Sequence, residues 1–195
     1  MKQTIQNLTK AFVGESQARN RYTFFAKIAQ KDGFEQIAAI FLEIAEQEKA
    51  HAKRLFEHIQ ELKKKLGGND FNEIKVEAVA LTIYGTTVEN LKSAIAGEKH
   101  EYTEMYPEFS KTAKKERLEK IALRLEAIAK AEEHHEQRFK NLLKEVENKT
   151  VFKKSKKIAW VCRECGYEHI GNQAPTECPS CGHPQSYYQV KCERY

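Results

Sequence analysis

The sequence carries an internal repeat that puts a glutamate and a histidine on the apolar stripe of two separate helices. The segment IAEQEKAHAKRLF at 44–56 matches IAKAEEHHEQRF at 128–139 at an offset of 84 residues. The repeat pairs Glu48 with Glu132 and His51 with His135. Apolar residues around each pair recur at steps of three and four, which predicts helices with one face toward a core. Because residues three apart share a helix face, each segment aims a carboxylate and an imidazole inward.

Apolar stripes of this kind predict four long helices, over about residues 4–31, 35–67, 87–107 and 118–146. Asp32 with Glu35, and Thr86 with Glu89, have the spacing of a capping box before the second and third helices. The "GG" at 67–68 ends the second helix, and about 18 residues without a helical period follow. Two helical hairpins joined by one long crossover predict a mainly α protein with a four-helix bundle.

Each predicted helix has one glutamate within its apolar stripe: Glu15, Glu48, Glu98 and Glu132. The "GE" pairs at 14–15 and 97–98 extend the repeat to the first and third helices, at an offset of 83 residues. Four buried carboxylates without compensating charge cost several kcal/mol each. One glutamate from each of two helices, with Glu-x-x-His from the other two, is the ligand set of ferritin-like di-iron and di-manganese proteins. The sequence therefore predicts a dinuclear metal site at the bundle centre.

Three further residues near these ligands are singled out by their positions. Glu101 follows Glu98 by three residues on the same face, whereas the matching position of the first helix is Ala18. The two metals are therefore expected to have unequal surroundings. Tyr22 and Tyr106 lie about two turns beyond the glutamates of their own helices. Core packing and a hydrogen bond to a metal ligand are both open for these tyrosines.

Other acidic residues and histidines of the helices fall off the stripe. Glu133 and His134 are rotated away from it, so Glu132 and His135 are the expected ligands in "AEEHHE". His58 and His100 are likewise expected at the surface.

All five cysteines lie after residue 160, and four of them form two Cys-x-x-Cys pairs: Cys162, Cys165, Cys178 and Cys181. Four thiolates in two such turns specify a tetrahedral site for zinc or for a single iron. Gly166 and Gly182 permit the tight turns after each pair. Trp160, Tyr167 and the "CPSCG" motif favour iron, and Cys192 is expected to be a bystander thiol.

Composition sets the expected domain boundaries. Basic and acidic residues number 33 and 28, and the cluster "KKSKK" at 153–157 is interpreted as a linker. We expect a bundle over 1–150, a basic linker over 151–157 and a small metal domain over 158–195.

The sequence shows neither an apolar leader nor a run of 18 apolar residues. A cytoplasmic protein that binds neither membrane nor nucleic acid is therefore expected.

Five motifs together resemble the rubrerythrin family over nearly the whole chain: GESQARNRY, EKAHAKR, GEKHEYTEMYPEF, EEHHEQRF and the CRECGY…CPSCG pair. The resemblance implies a homodimer in which a ferritin-like di-iron domain precedes a rubredoxin-like Fe(Cys)₄ domain. It implies a cytoplasmic hydrogen peroxide reductase that defends anaerobes against oxidative stress. Rubredoxin, or a separate NAD(P)H-dependent reductase, is the implied electron donor.

The resemblance also implies the ligands, residue by residue. The di-iron ligands would be Glu15, Glu48, Glu98, Glu101, Glu132 and His135, with His51 as a redox-dependent ligand. Cys162, Cys165, Cys178 and Cys181 would hold the third iron. One iron of the pair is expected to bind Glu101 when it is oxidised and His51 when it is reduced.

The chemistry of these parts agrees with peroxide reduction. Two adjacent ferrous ions give peroxide two electrons together, whereas a lone ferrous ion gives one and releases a hydroxyl radical. Two alternatives remain. A ferroxidase or iron-handling ferritin-like protein would not need an electron-transfer domain. A helical bundle with a nucleic-acid-binding zinc ribbon would be colourless, whereas an iron–tetracysteine site is red.

Overall fold

The computed structural model describes residues 1–67 and 72–193. Its five α-helices are α1 (Lys2–Lys31), α2 (Glu35–Leu66), α3 (Thr87–His100), α4 (Tyr106–Lys115) and α5 (Glu119–Glu147). A π-helical turn, Glu101–Met105, joins α3 to α4. α1 packs along α2, and α3 and α4 pack along α5. With α3 and α4 forming one side together, the predicted four-helix bundle is confirmed.

The crossover between the two hairpins enters α3 through the predicted capping box. Thr86 accepts from the Glu89 N–H, and the Glu89 carboxylate accepts from the Thr86 N–H. The prediction for Asp32 is wrong, because its carboxylate does not cap α2. It accepts hydrogen bonds from the N–H and hydroxyl of Thr87, at 3.0 and 2.7 Å. The turn between α1 and α2 is thereby tied to the first turn of α3.

The end of α2 lies at Gly67, which has a φ of 109°, a conformation that favours glycine. Gly68, the second glycine of the predicted boundary, lies outside the described residues. The end of the predicted third helix differs from the structure, because the chain continues in helical form past Pro107 to Lys115. Pro107 lies at the start of α4, directly after the π-helical turn.

The π-helical turn explains a change of offset within the repeat. Glu15 matches Glu98 at 83 residues, whereas Tyr22 matches Tyr106 at 84. A π-helical turn holds one residue more than an α-helical turn. The extra residue therefore lies in the turn that begins with Glu101, and both flanking residues keep their orientation toward the core.

Two apolar clusters fill the bundle, and a polar layer separates them. One cluster includes Leu8, Leu55 and Leu125, and the other includes Phe25, Phe41 and Phe139. Full burial of each large apolar side chain contributes roughly 1.5–3 kcal/mol. In the layer between the clusters lie four fully buried carboxylates: Glu15, Glu48, Glu98 and Glu132.

The prediction that His58 lies at the surface is wrong, because its exposed fraction is 1%. Position 58 is three residues after Leu55 and four before Leu62, so it shares their buried face. The His58 Nδ1 lies 3.2 Å from the Glu61 Oε2. His100 is exposed, as expected.

The C-terminal domain is built on a small antiparallel sheet. Its strands are β1 (Lys153–Cys162), β2 (Glu168–Gln173) and β3 (Tyr188–Val190), in the order β2-β1-β3. The segment 151–157, predicted as a linker, differs from the structure because β1 begins at Lys153. The first half of this strand contributes little to the core, so its sequence has no apolar alternation.

The sheet domain contacts the bundle at one end. The ring of Phe152 stacks on that of Phe34, with centroids 6.2 Å apart. The Lys154 ammonium pairs with the Glu145 carboxylate near the end of α5. Among the described residues, no helix is both long and apolar enough to span a membrane.

Candidate metal centres

Possible metal ligands converge in two groups at the bundle centre. One group is Glu15, Glu48, His51 and Glu132, and the other is Glu48, Glu98, Glu132 and His135. The ligand atoms of each group lie within 4.8 Å of one another. Glu48 and Glu132 belong to both groups, so two metal ions held here would share these carboxylates.

The two histidines face the shared carboxylates from opposite sides. The His51 Nδ1 lies 3.1 Å from the Glu48 Oε2 and 2.9 Å from the Glu132 Oε1. The His135 Nδ1 lies 3.0 Å from the Glu48 Oε1 and 2.7 Å from the Glu132 Oε2. Each shared carboxylate therefore presents one oxygen to each histidine, which is the arrangement of a bridging ligand. Glu15 approaches His51 at 3.9 Å and Glu98 approaches His135 at 3.6 Å.

Several buried ligand atoms lie close to one another but form no hydrogen bond of regular geometry within the described part of the chain. They are Oε2 of Glu15, Oε1 of Glu48, Oε2 of Glu98, both carboxylate oxygens of Glu132 and Nδ1 of His135. An unpaired buried polar atom costs about 1–3 kcal/mol. Oxygen and imidazole nitrogen are donors that suit divalent iron and manganese. The donor set therefore fits a pair of metal ions.

The electrostatics of the metal-free site point the same way. Burial, together with the charges of Glu132 and Glu48, raises the pKa of Glu15 well above its usual value. Burial and the charge of Glu48 raise the pKa of Glu98 to about 8. Burial opposes protonation of the His51 imidazole, but its carboxylate neighbours outweigh this and raise its pKa to about 9. Without metal the site retains protons, which bound cations would displace.

Tyr22 and Tyr106 each reach a carboxylate on a different helix. The fully buried Tyr22 hydroxyl donates to the Glu98 Oε1 at 2.5 Å, and the Tyr106 hydroxyl donates to Glu15. The Tyr22 ring also packs edge-on against Phe139, with centroids 5.3 Å apart. For Tyr22 the two interpretations left open by the sequence therefore apply together.

Glu101 belongs to neither group of converging ligand atoms, although it lies near one of them. It is half-buried, and its Oε1 lies 3.8 Å from the place that a Cβ on Gly14 would occupy. Gly14 directly precedes Glu15. Burial and the charge of Glu98 raise the pKa of Glu101 well above its usual value. A cavity of about 390 Å³ under the crossover, lined in part by Arg21 and Leu81, reaches Glu101.

Sequence reasoning missed one residue that contacts a ligand. The His135 Nε2 lies 2.9 Å from the Gln47 Oε1. Gln47 directly precedes Glu48, and its repeat counterpart is Ala131. This difference between Gln47 and Ala131 was the sequence signal that could have singled out Gln47. Glu133 and His134 are both exposed.

The four cysteines of the C-terminal domain form a second site. Cys162 and Cys181 have their sulfurs 3.8 Å apart, and Cys165 and Cys178 have theirs 3.6 Å apart. A tetrahedral metal with bonds of about 2.3 Å to sulfur places those sulfurs about 3.8 Å apart, so the spacing fits. The turns after the two pairs contain Gly166 and Gly182, with φ of 76° and 74°. Cys192 is exposed and outside this group.

Comparison with known proteins identifies the family. A model of the family described as rubrerythrin matches residues 6–143, and one described as the rubredoxin-like domain of rubrerythrin matches residues 160–189. The chain belongs to the rubrerythrin family. Rubrerythrins are oxidoreductases, and the two sites fit their cofactors: a di-iron pair at the carboxylates and histidines, and one iron held by four cysteines.

Relatives match this rubrerythrin-family chain along nearly its whole length. The rubrerythrin of Porphyromonas gingivalis is 48% identical over 98% of this chain and 92% of its own. That of Nitratidesulfovibrio vulgaris is 46% identical over 96% of this chain and 93% of its own. The structure of fully reduced, all-ferrous nigerythrin aligns with a TM-score of 0.64 and 28% identity, over 96% of this chain and 86% of that one.

Proposed function

We propose that this protein reduces hydrogen peroxide to water at the di-iron site, with electrons delivered through the iron of the four cysteines. The observation that carries the proposal is the sharing of Glu48 and Glu132 between two ligand groups. Glu48 and Glu132 would hold two ferrous ions side by side, and such a pair would supply the two electrons that cleavage of the O–O bond requires. The reaction also consumes two protons for each peroxide.

The residues around the site suit this reaction. The two apolar clusters cover the polar layer on either side along the bundle. The buried hydroxyls of Tyr22 and Tyr106 hold one oxygen each of Glu98 and Glu15, which leaves the other oxygen of each carboxylate for a metal. The cavity that reaches Glu101 offers a route for a small molecule from the surface.

The proposal includes an exchange of ligands between Glu101 and His51. Both lie on the Glu15 side of the site: His51 in the ligand group of Glu15, and Glu101 against Gly14. A carboxylate favours the more highly charged oxidised metal, and a neutral imidazole favours the reduced one. His135 has no competing carboxylate at the corresponding place, so it is expected to remain bound in both states.

Electron delivery is proposed to pass between the subunits of a homodimer. The C-terminal domain contacts its own bundle at Phe34 and Glu145. Phe34 is 14 residues from Glu48, which corresponds to about 21 Å along the helix. We propose rubredoxin or an NAD(P)H-dependent reductase as the external donor. A bare ferroxidase, the alternative function, would leave the four-cysteine iron without a role.

The test compares two adjacent glutamates of α5. Anaerobically iron-loaded protein should hold about three irons per chain, and Glu132→Ala should leave about one, at the cysteines. Glu133→Ala is the matched control, because Glu133 is exposed and should leave the iron content unchanged. Iron analysis is combined with the peroxide consumed by chemically reduced protein, expected at about one per iron pair. Equal losses in both variants, or iron-loaded protein that consumes no peroxide, would contradict the proposal.

A further inference from the structure

The two histidines of the di-iron site differ in what holds their outer ring nitrogens. The His135 Nε2 contacts the Gln47 Oε1 at 2.9 Å. The Gln47 Nε2 in turn lies 3.4 Å from the Glu43 Oε1. The Arg138 guanidinium holds both oxygens of Glu43, each at 2.9 Å. A continuous chain of hydrogen bonds thus runs from His135 to Arg138, one helical turn further along α5.

Only one direction of hydrogen-bond donation is chemically possible between His135 and Arg138. The Glu43 carboxylate, paired with an arginine, can only accept. Gln47 must therefore turn its NH₂ group toward Glu43 and its carbonyl oxygen toward His135. That oxygen accepts a hydrogen bond, so the proton of the neutral His135 ring lies on Nε2. The lone pair of Nδ1 then faces Glu48, Glu98 and Glu132, where the metal is expected.

The repeat places no such chain beside His51. Gln47 and Glu43 correspond to Ala131 and Ala127. Arg54, the counterpart of Arg138, pairs with Glu57 on its own helix at 2.6 Å. The side chain of His51 is 17% exposed, compared with 3% for His135.

An open cleft also lies beside His51. Its volume is about 310 Å³, and Arg54, Ala127 and Ile128 line it. Ala127, which lines this cleft, leaves space at the position that corresponds to Glu43 on α2.

We propose that Gln47 is a positioning residue that fixes His135 as an Nδ1 ligand, and that the alanines at the corresponding positions leave His51 free to turn away. The inference rests on the di-iron site of the proposed function, and it gives the two histidines different roles. Hydrogen bonds to the outer nitrogen of a metal-bound histidine set its tautomer and ring orientation. A histidine without one has no such restraint.

The first test removes the hydrogen bond to His135. Zinc is used as a diamagnetic probe of the full-length protein, and the ring nitrogens are observed by ¹⁵N NMR. In the wild type, His135 should show a slowly exchanging Nε2–H, and His51 should show fast exchange. Gln47→Ala should make the His135 Nε2 proton exchange rapidly. It should also weaken zinc binding at the bundle site about 10–100-fold. Gln60→Ala is the control, since Gln60 is also half-buried on α2 but about 20 Å further along the helix.

Two double variants test the specificity of this arrangement. Exchanging the pair, as Glu43→Gln with Gln47→Glu, keeps an acceptor at His135 and should restore the slow exchange. Introducing the pair on α5, as Ala127→Glu with Ala131→Gln, should slow the exchange of the His51 proton and bring its ring to a single orientation in the crystal structure.

These measurements can separate this inference from the proposed function, because zinc binding and proton exchange are observed without peroxide reduction. If Gln47→Ala binds zinc as the wild type does and keeps a slowly exchanging His135 proton, the inference is overturned and the proposed function stands. Slow exchange of His51 in the wild type would overturn it equally. If the wild type binds no metal pair at all, the proposed function fails, and this inference fails with it.

Discussion

Two inactive variants of this chain should restore each other's activity if electrons pass between subunits. Cys165→Ser removes the iron of the C-terminal domain, and Glu132→Ala removes the di-iron pair. In a heterodimer of the two, the intact four-cysteine iron and the intact di-iron site lie on different chains. Only delivery between subunits can then sustain turnover.

The structure indicates why delivery within one chain should fail. The C-terminal domain contacts its own bundle at Phe34 and Glu145. These residues lie 14 and 13 positions from Glu48 and Glu132, or about 20 Å along their helices. Electron tunnelling falls off exponentially with distance, so a contact at this end is a poor route to the ligand groups.

The expected recovery follows from subunit statistics. Each heterodimer has one complete pathway where the wild-type dimer has two, so purified heterodimers should reach about half of the wild-type turnover. Delivery within a chain predicts almost none. The chains carry two different tags, heterodimers are purified by both, and peroxide consumption is measured with the electron donor. A verified heterodimer without activity, or a fully active monomer in sedimentation, would refute the reasoning.

Two further predictions concern the buried charges. Metal-free protein should lose stability as the pH rises from about 5 to 9, because Glu98, with its pKa raised to about 8, and His51, with its pKa raised to about 9, bind more protons folded than unfolded. Thermal unfolding checks this, and a melting temperature that climbs toward pH 9 would contradict it. Glu101→Ala should keep two irons in the bundle but slow peroxide reduction at least about tenfold. Glu104→Ala, an exposed position of the same π-helical turn, should leave the rate unchanged.

Local pattern predicted much of the fold because its causes are local. A period of three and four residues predicted the long helices, and Thr86 with Glu89 predicted a cap that the structure contains. A glycine directly after each Cys-x-x-Cys pair predicted a tight turn there, and Gly166 and Gly182 do have a positive φ. In each case residues a few positions apart in sequence make the contact, so spacing alone carries the information.

Two of the predictions that were wrong, for Asp32 and for residues 153–157, depended on partners distant in sequence. Asp32 has the spacing of a cap for α2, but its carboxylate instead accepts a hydrogen bond from Thr87, 55 residues away. The error for His58 was local, because its polar side chain lies on the buried helix face of Leu55 and Leu62. The lysines before residue 158 lack apolar alternation, yet pairing with β2 draws the chain from Lys153 onward into a strand. Pro107 follows a π-helical turn that spacing does not reveal.

The sequence by itself determined that four carboxylates and two histidines would share the apolar stripes of a duplicated bundle, because side-chain direction along a helix depends on residue spacing alone. Only the tertiary structure decided which carboxylates are shared. Glu48 and Glu132 each present one oxygen to each histidine because α2 and α5 place them between the two imidazoles. The contact of Gln47 with His135 likewise depends on how two helices face each other, since 88 residues separate them.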